Sequence, residues 1–194
     1  FASAGWFKDR TSIRLNYIYG DQTTGITWEG ISREMMSINR RFNPAGMYFD
    51  QAGNTKYYDN ETDNYTQHHL QLLFTRELKD GLTWSNVLHY TNGYGYYENY
   101  KVNRKFSEYG LTPQIVNGDE YKRSDVIVRQ SLSNDYYAFS STLQFTAGEI
   151  KATGGLSYSY YDGDHFGNMI WSMWNQNIPE NFKRSMDEQE SSCI

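Results

Sequence analysis

The chain has 194 residues, enough for one domain, with 38% hydrophobic and 17% aromatic residues, 18 tyrosines and only 3 prolines. A net charge of −5 without any basic stripe argues against nucleic acid as a partner. No apolar run of about 18 residues occurs, which excludes a transmembrane helix, and the single cysteine, Cys193, excludes an internal disulfide framework and reads as a free tail or cloning remnant. No signal-peptide pattern is visible, and the opening FASAGWF reads as the interior of a longer protein.

In chain order, 1–7 reads as the end of a strand, and Lys8-Asp9-Arg10 is a tight polar link. Residues 11–20 alternate, with Ile13, Leu15, Tyr17 and Tyr19 on one face and Ser12, Arg14 and Asn16 on the other. Alternation of this period marks a half-buried strand. A long connection, 21–63, holds a short helix from about Ser32 to Arg41, with Ser32 as N-cap and Asn43-Pro44 as its stop. Two long alternating stretches, 64–78 and 82–92, flank Lys79-Asp80-Gly81, a three-residue hairpin link in which Gly81 can take φ > 0. Leu70, Leu72, Phe74 and Leu78 share a face before the turn; Leu82, Trp84, Leu88 and Tyr90 share one after it, with Asn86 as a defect. A second long connection, 93–131, follows, and its end near Ser124–Leu132 extends the next strand. The stretches 132–146 and 150–161 alternate again across Ala147-Gly148-Glu149. Segment 162–194 shows no clear period and ends in a polar tail expected to be disordered.

Short and long connections thus take turns, and ordinary soluble domains rarely carry several structureless connections of such length. Transmembrane β-barrels follow this rhythm, with long tilted strands, short periplasmic turns, long outer loops and aromatic girdles. The expected fold is all-β: an antiparallel meander of about six strands, one segment of a transmembrane β-barrel with long extracellular loops. Tyr17, Tyr19, Tyr65, Tyr90, Tyr94, Tyr136, Tyr137, Tyr158, Tyr160 and Tyr161 crowd the strand ends next to the long loops, where an outer girdle belongs. A mean hydropathy of −0.79 is compatible with this, because loop and lumen residues outnumber those facing lipid.

Asp59, Glu61 and Asp63 alternate as Ca²⁺ ligands can, but without the glycine and distant glutamate of an EF-hand they read as a solvated acidic loop. Asn60-Glu61-Thr62 and Asn64-Tyr65-Thr66 fit the glycosylation pattern by chance. His68 and His69 are strand neighbours, point to opposite faces and cannot share a metal; His68 falls on the apolar side, at a girdle position. Asp162, Asp164 and His165 lack a well-spaced third partner and read as a turn. No nucleophile elbow or Ser/His/acid spacing is present, so no catalytic site, metal site or cofactor is expected. Tyr94, Tyr96, Tyr97 and Tyr100, with Trp28, Trp171 and Trp174, are the candidate ligand-binding residues of the outer loops. Tyr and Trp offer large contact area at little entropic cost. The competing reading is that these rings pack loop against loop.

The segments TWEGISREMMSINRRFNPAG, KYYDNETDNYTQHHLQLLF, LHYTNGYGYYENYK, FSEYGLTP and YYDGDHFGNMIW, in this order, resemble TonB-dependent outer-membrane receptors of the Bacteroidetes type, over about Gly5 to Trp171. The resemblance implies a 22-stranded barrel around an N-terminal plug, driven through the plug by the TonB system. It implies uptake of a scarce nutrient across the cell outer membrane, foremost a ferric siderophore, otherwise haem, cobalamin or a glycan. This chain corresponds to about six strands and three outer loops from the middle of the barrel; the plug and the energy-coupling box fall outside the match. Its apolar face would meet outer-membrane lipid, and a fragment on its own would self-associate or fold its loops over that face. The alternative reading is a soluble extracellular β-domain, such as a carbohydrate-binding module.

Overall fold

In the computed structural model, the structure describes residues 1–174 and the backbone of 184–185. Cys193 and the polar tail lie outside the described residues. The chain is all-β, with one antiparallel sheet of six long strands. These are β1 (Ala2–Lys8) and β2 (Thr11–Gly25), followed by a small hairpin of β3 (Met47–Phe49) and β4 (Thr55–Tyr57). Next come β5 (Thr62–Lys79) and β6 (Leu82–Lys105), then a second small hairpin of β7 (Gln114–Val116) and β8 (Asp119–Tyr121). β9 (Arg123–Ala147) and β10 (Ile150–Ser172) complete the long strands, and the two-residue β11 (Arg184–Ser185) pairs with β10 at Phe166 and Gly167. The sheet order β1-β2-β5-β6-β9-β10-β11 is an up-and-down meander.

Three tight turns join the long strands in pairs. Asp9 takes φ 50° in the first, Gly81 φ 75° in the second and Gly148 φ 58° in the third. At Gly81 a side chain has no room, because an added Cβ would strike the carbonyl oxygen of Thr146 on β9. That approach is bonded: the Thr146 N–H donates to the Gly81 carbonyl at 2.7 Å. Arg10 ties the neighbouring turn in, with Nη2 2.5 Å from Asp80 Oδ1.

Helix α1 (Arg33–Ile38) is shorter than the expected 32–41. Ser32 caps it as expected, its Oγ accepting the Met35 N–H at 3.2 Å. Asn39 ends it by leaving helical geometry at φ −147°. The strands, in contrast, outrun the alternation. β6 continues to Lys105 and β10 to Ser172, through stretches expected to be loop. Alternation fails there because both sides are covered: Glu98 and Asn99, adjacent on β6 and so on opposite faces, are both buried. The β7–β8 hairpin turns on Asn117 and Gly118, both at positive φ (54° and 93°), as a type I′ turn demands.

The chain divides into two compact units. The first comprises Phe1–Asp21, Tyr65–Tyr94 and Ser133–Asp164, the alternating halves of the strands. The second comprises Gln22–Asn64, Gly95–Leu132 and His165–Ile194. Every buried hydrophobic side chain among the described residues belongs to the second: Ile26, Ala45, Phe106, Val126, Val128 and Met169. Val126, Val128 and Met169 form a small core over which Tyr109 and Leu111 pack. The first unit has no such core.

Candidate functional site: an uncovered apolar face and an aromatic–polar loop cluster

In the first unit, strand alternation sorts side chains by chemistry. In the β1–β2 pair, Trp6 faces Ile13, Ala4 faces Leu15 and Ala2 faces Tyr17, all on one side. Leu70, Leu72, Leu78, Trp84, Leu88, Leu143, Phe145 and Leu156 are exposed too. An open depression of about 390 Å³ among Leu15, Leu70, Leu72, Leu88, Tyr137 and Phe139 belongs to this face. Trp84 packs edge-on against Phe74 at 5.5 Å, and its indole N–H is satisfied by Ser141 Oγ at 2.9 Å.

A row of rings crosses the same unit from strand to strand. Tyr17 Oη lies 2.7 Å from His68 Nδ1, and Tyr19 packs on the same imidazole at 5.1 Å. Tyr90 lies 5.0 Å from Tyr137, and Tyr137 lies 6.5 Å from Tyr160. Tyr90 also donates to Asp135 Oδ1 at 2.6 Å, so its hydroxyl is satisfied while its ring stays on the apolar side.

The second unit holds most of the candidate ligand-binding rings. Its centre is Glu98 on β6, 1% exposed. Tyr58 Oη donates to Glu98 Oε2 at 2.5 Å and Asn60 Nδ2 donates to it at 2.6 Å. Arg129 on β9 donates to Glu98 Oε1 through Nε at 2.8 Å and Nη2 at 2.5 Å. Burial by itself pushes the Glu98 carboxyl up, but the bonds from Tyr58, Arg129 and Asn60 outweigh it and hold the group below the usual carboxylate range. Burial and the neighbouring carboxylate push Tyr58 up to about 12. The Arg129 guanidinium also lies over the Tyr96 ring at 4.4 Å. Glu61 anchors the same connection beside it, accepting from Asn99 Nδ2 at 2.7 Å and from the Tyr100 N–H at 2.9 Å. Burial raises its carboxyl despite these two bonds.

The structure joins some of the expected rings and separates others. Tyr100 stacks on Tyr48 at 4.5 Å, lies 6.0 Å from Trp171 and donates to Asp125 Oδ2 at 2.8 Å. Trp28 meets Tyr97 edge-on at 5.1 Å, and Trp174 stacks on Tyr121 at 4.8 Å. Tyr94 belongs to the first unit and is exposed. The rings therefore form several pairs rather than one cage; Trp28 remains 55% exposed and Trp171 38%. Glu98, Arg129, Tyr58 and Tyr48 went unread in the sequence. The one available signal was an acid within the aromatic run GYYENY, since a carboxylate there needs a cationic partner once buried. Among the described residues, no three His, Cys, Asp or Glu side chains come together as metal ligands, and no helix is long and apolar enough to cross a membrane.

The chain matches no family model, no curated protein and no solved structure.

Proposed function

We propose that this chain is a β-barrel segment of a TonB-dependent outer-membrane importer that takes up a scarce nutrient, foremost a ferric siderophore or similar iron chelate. One observation carries the reading: the first unit keeps about ten large apolar side chains on the outside and none inside. Burying such a side chain contributes about 1.5–3 kcal/mol. These side chains are roughly half exposed, so ten of them forfeit on the order of 7–15 kcal/mol, comparable with the whole stability of an ordinary domain, about 5–15 kcal/mol. A cover is therefore required, and lipid supplies one without any partner protein. The ring row crossing this unit fits an interfacial girdle, where Tyr keeps its ring in hydrocarbon and its hydroxyl in the wet layer. The stretches 65–79 and 82–94 exceed the roughly 9–11 residues that a tilted strand needs to cross.

In this reading the second unit supplies the outer loops, and Trp28, Tyr96, Tyr100 and Trp171 contribute to ligand capture. Energy comes from the TonB system through a plug elsewhere in the protein, and the chain itself performs no chemistry. The test is the full-length protein in its own cells. It should fractionate with the outer membrane and migrate faster on a gel before boiling than after. A deletion strain should fail on one of ferric siderophore, cobalamin or glycan as sole source. A protein found free in the medium as a stable monomer, binding a polysaccharide, would instead establish the carbohydrate-binding module.

A further inference from the structure

The polar side of the first unit carries a hydrogen-bonded row that runs in one direction. Asn16 Nδ2 donates to Gln71 Oε1 at 3.3 Å, and Gln71 Nε2 reaches His89 Nδ1 at 3.3 Å. An amide N–H can only donate, so His89 Nδ1 accepts and Nε2 carries the proton. His89 Nε2 then donates to Thr91 Oγ1 at 2.7 Å, and the Thr91 hydroxyl donates to His69 Nδ1 at 2.8 Å. Two imidazoles, one from each strand of the β5–β6 hairpin, thus aim ring nitrogens at one oxygen. Their centroids are 5.7 Å apart, and both rings are half-buried.

We propose that His69 and His89 form a two-imidazole site for a divalent transition-metal ion, binding Cu²⁺ in preference to Ni²⁺ or Zn²⁺. Both nitrogens face the Thr91 hydroxyl oxygen, at 2.8 Å and 2.7 Å, so an ion lodged between the three atoms meets two nitrogens and one oxygen. Metal–nitrogen bonds of about 2.0–2.1 Å require the two rings to swing inward together, and half-exposed side chains on a rigid hairpin can do this without moving the backbone. His69 binds through Nδ1 in the tautomer it already has. His89 binds through Nε2, so its proton moves to Nδ1 and none is lost from the pair. Gln71 then turns its carboxamide so that Oε1 accepts the new Nδ1–H, as a residue that positions a metal-bound imidazole does. Thr91 Oγ1 and water complete the coordination. The site lies wholly within one hairpin, so it does not rest on the importer reading.

The test is titration of the native full-length protein in detergent with Cu²⁺ alone, followed by electron paramagnetic resonance. Superhyperfine splitting from two equatorial nitrogens is expected. H69Q and H89Q should each remove one nitrogen and weaken binding tenfold or more. Q71L should weaken binding severalfold while keeping both nitrogens, and binding should weaken as pH falls, because protons compete for the imidazoles. H68Q should change nothing, since His68 bonds Tyr17 on the other face. Independently of any variant, Cu²⁺ should protect His69 and His89, but not His68, from diethyl pyrocarbonate. A signal with fewer than two nitrogens, or one that survives H69Q and H89Q, or equal protection of His68, overturns the proposal.

Discussion

Glu98 shows how far a single buried charge depends on its partners. Four donor contacts converge on it from Tyr58, Asn60 and Arg129, so removing the carboxylate strands several groups at once. Glu98→Ala should cost about 1–3 kcal/mol of local stability. It should be read as faster hydrogen exchange and earlier protease cleavage in 26–61, with the first unit unchanged. Because the Glu98 carboxyl sits below its ordinary 4.5, its contribution is complete above about pH 4.5 and is lost as pH falls through the depressed value. Glu61 is shifted the other way, so its ionisation costs stability as pH rises through its raised value. Acid should therefore loosen the Tyr58–Asn60 end in the native protein, and Glu98→Gln should abolish that acid step in a pH series of exchange rates. Asn86 is the opposite case. Its Nδ2 is buried without a hydrogen-bond partner, and its sequence parity places it among Trp84, Leu88 and Tyr90. Asn86→Leu should raise the free energy of unfolding read from a urea titration by about 1–3 kcal/mol, because an unsatisfied buried amide costs roughly that much.

At the scale of an element, the β5–β6 hairpin is set by its turn. Gly81 sits at φ 75° and leaves no space for a Cβ beside Thr146. Gly81→Ala should cost at least about 1–2 kcal/mol for the left-handed backbone alone. It should also slow refolding into lipid vesicles, seen as a delayed gain of the fast-migrating band. The three-residue link places His69 opposite Thr91, Gln71 opposite His89 and Thr75 opposite Ser85, as their hydrogen bonds record. The turn and the opposite faces of His68 and His69 were legible in the sequence; the meeting of His69 and His89 was not, because it depends on how the two strands pair. The Asn117-Gly118 hairpin signal also stands in the sequence, within the long 93–131 connection. The extension of β6 through Tyr94–Lys105 was not legible, because polar and aromatic residues fall on both of its faces there.

At the scale of the whole molecule, the decisive property is a side of the sheet that nothing among the described residues covers. Leu72→Arg or Leu88→Arg on that side should destabilise membrane assembly by about 2–4 kcal/mol near the bilayer midplane. Thr83→Lys or Ser85→Lys on the other side should be tolerated. The comparison is made by the fraction of fast-migrating band in the outer membrane; equal effects on both sides would sink the lipid-facing reading. Tyr96→Ala and Trp171→Ala should lower nutrient uptake by the intact protein without changing assembly. Unchanged uptake would assign these rings to packing between loops.

Alternation along the strands by itself determined the all-β meander, the three tight turns and which side chains share the apolar face, because a period of two leaves no other arrangement for them. Residue type by itself also determined Ser32 as a helix cap, since a hydroxyl there answers an orphan N–H. Only the tertiary structure decided which rings pair, that Glu98 is clasped by Arg129 from a strand 31 residues away, and that two histidines 20 residues apart share one hydroxyl. Such contacts depend on register and on long connections folding back. Their positions follow from the sum of many weak packing preferences rather than from any local pattern.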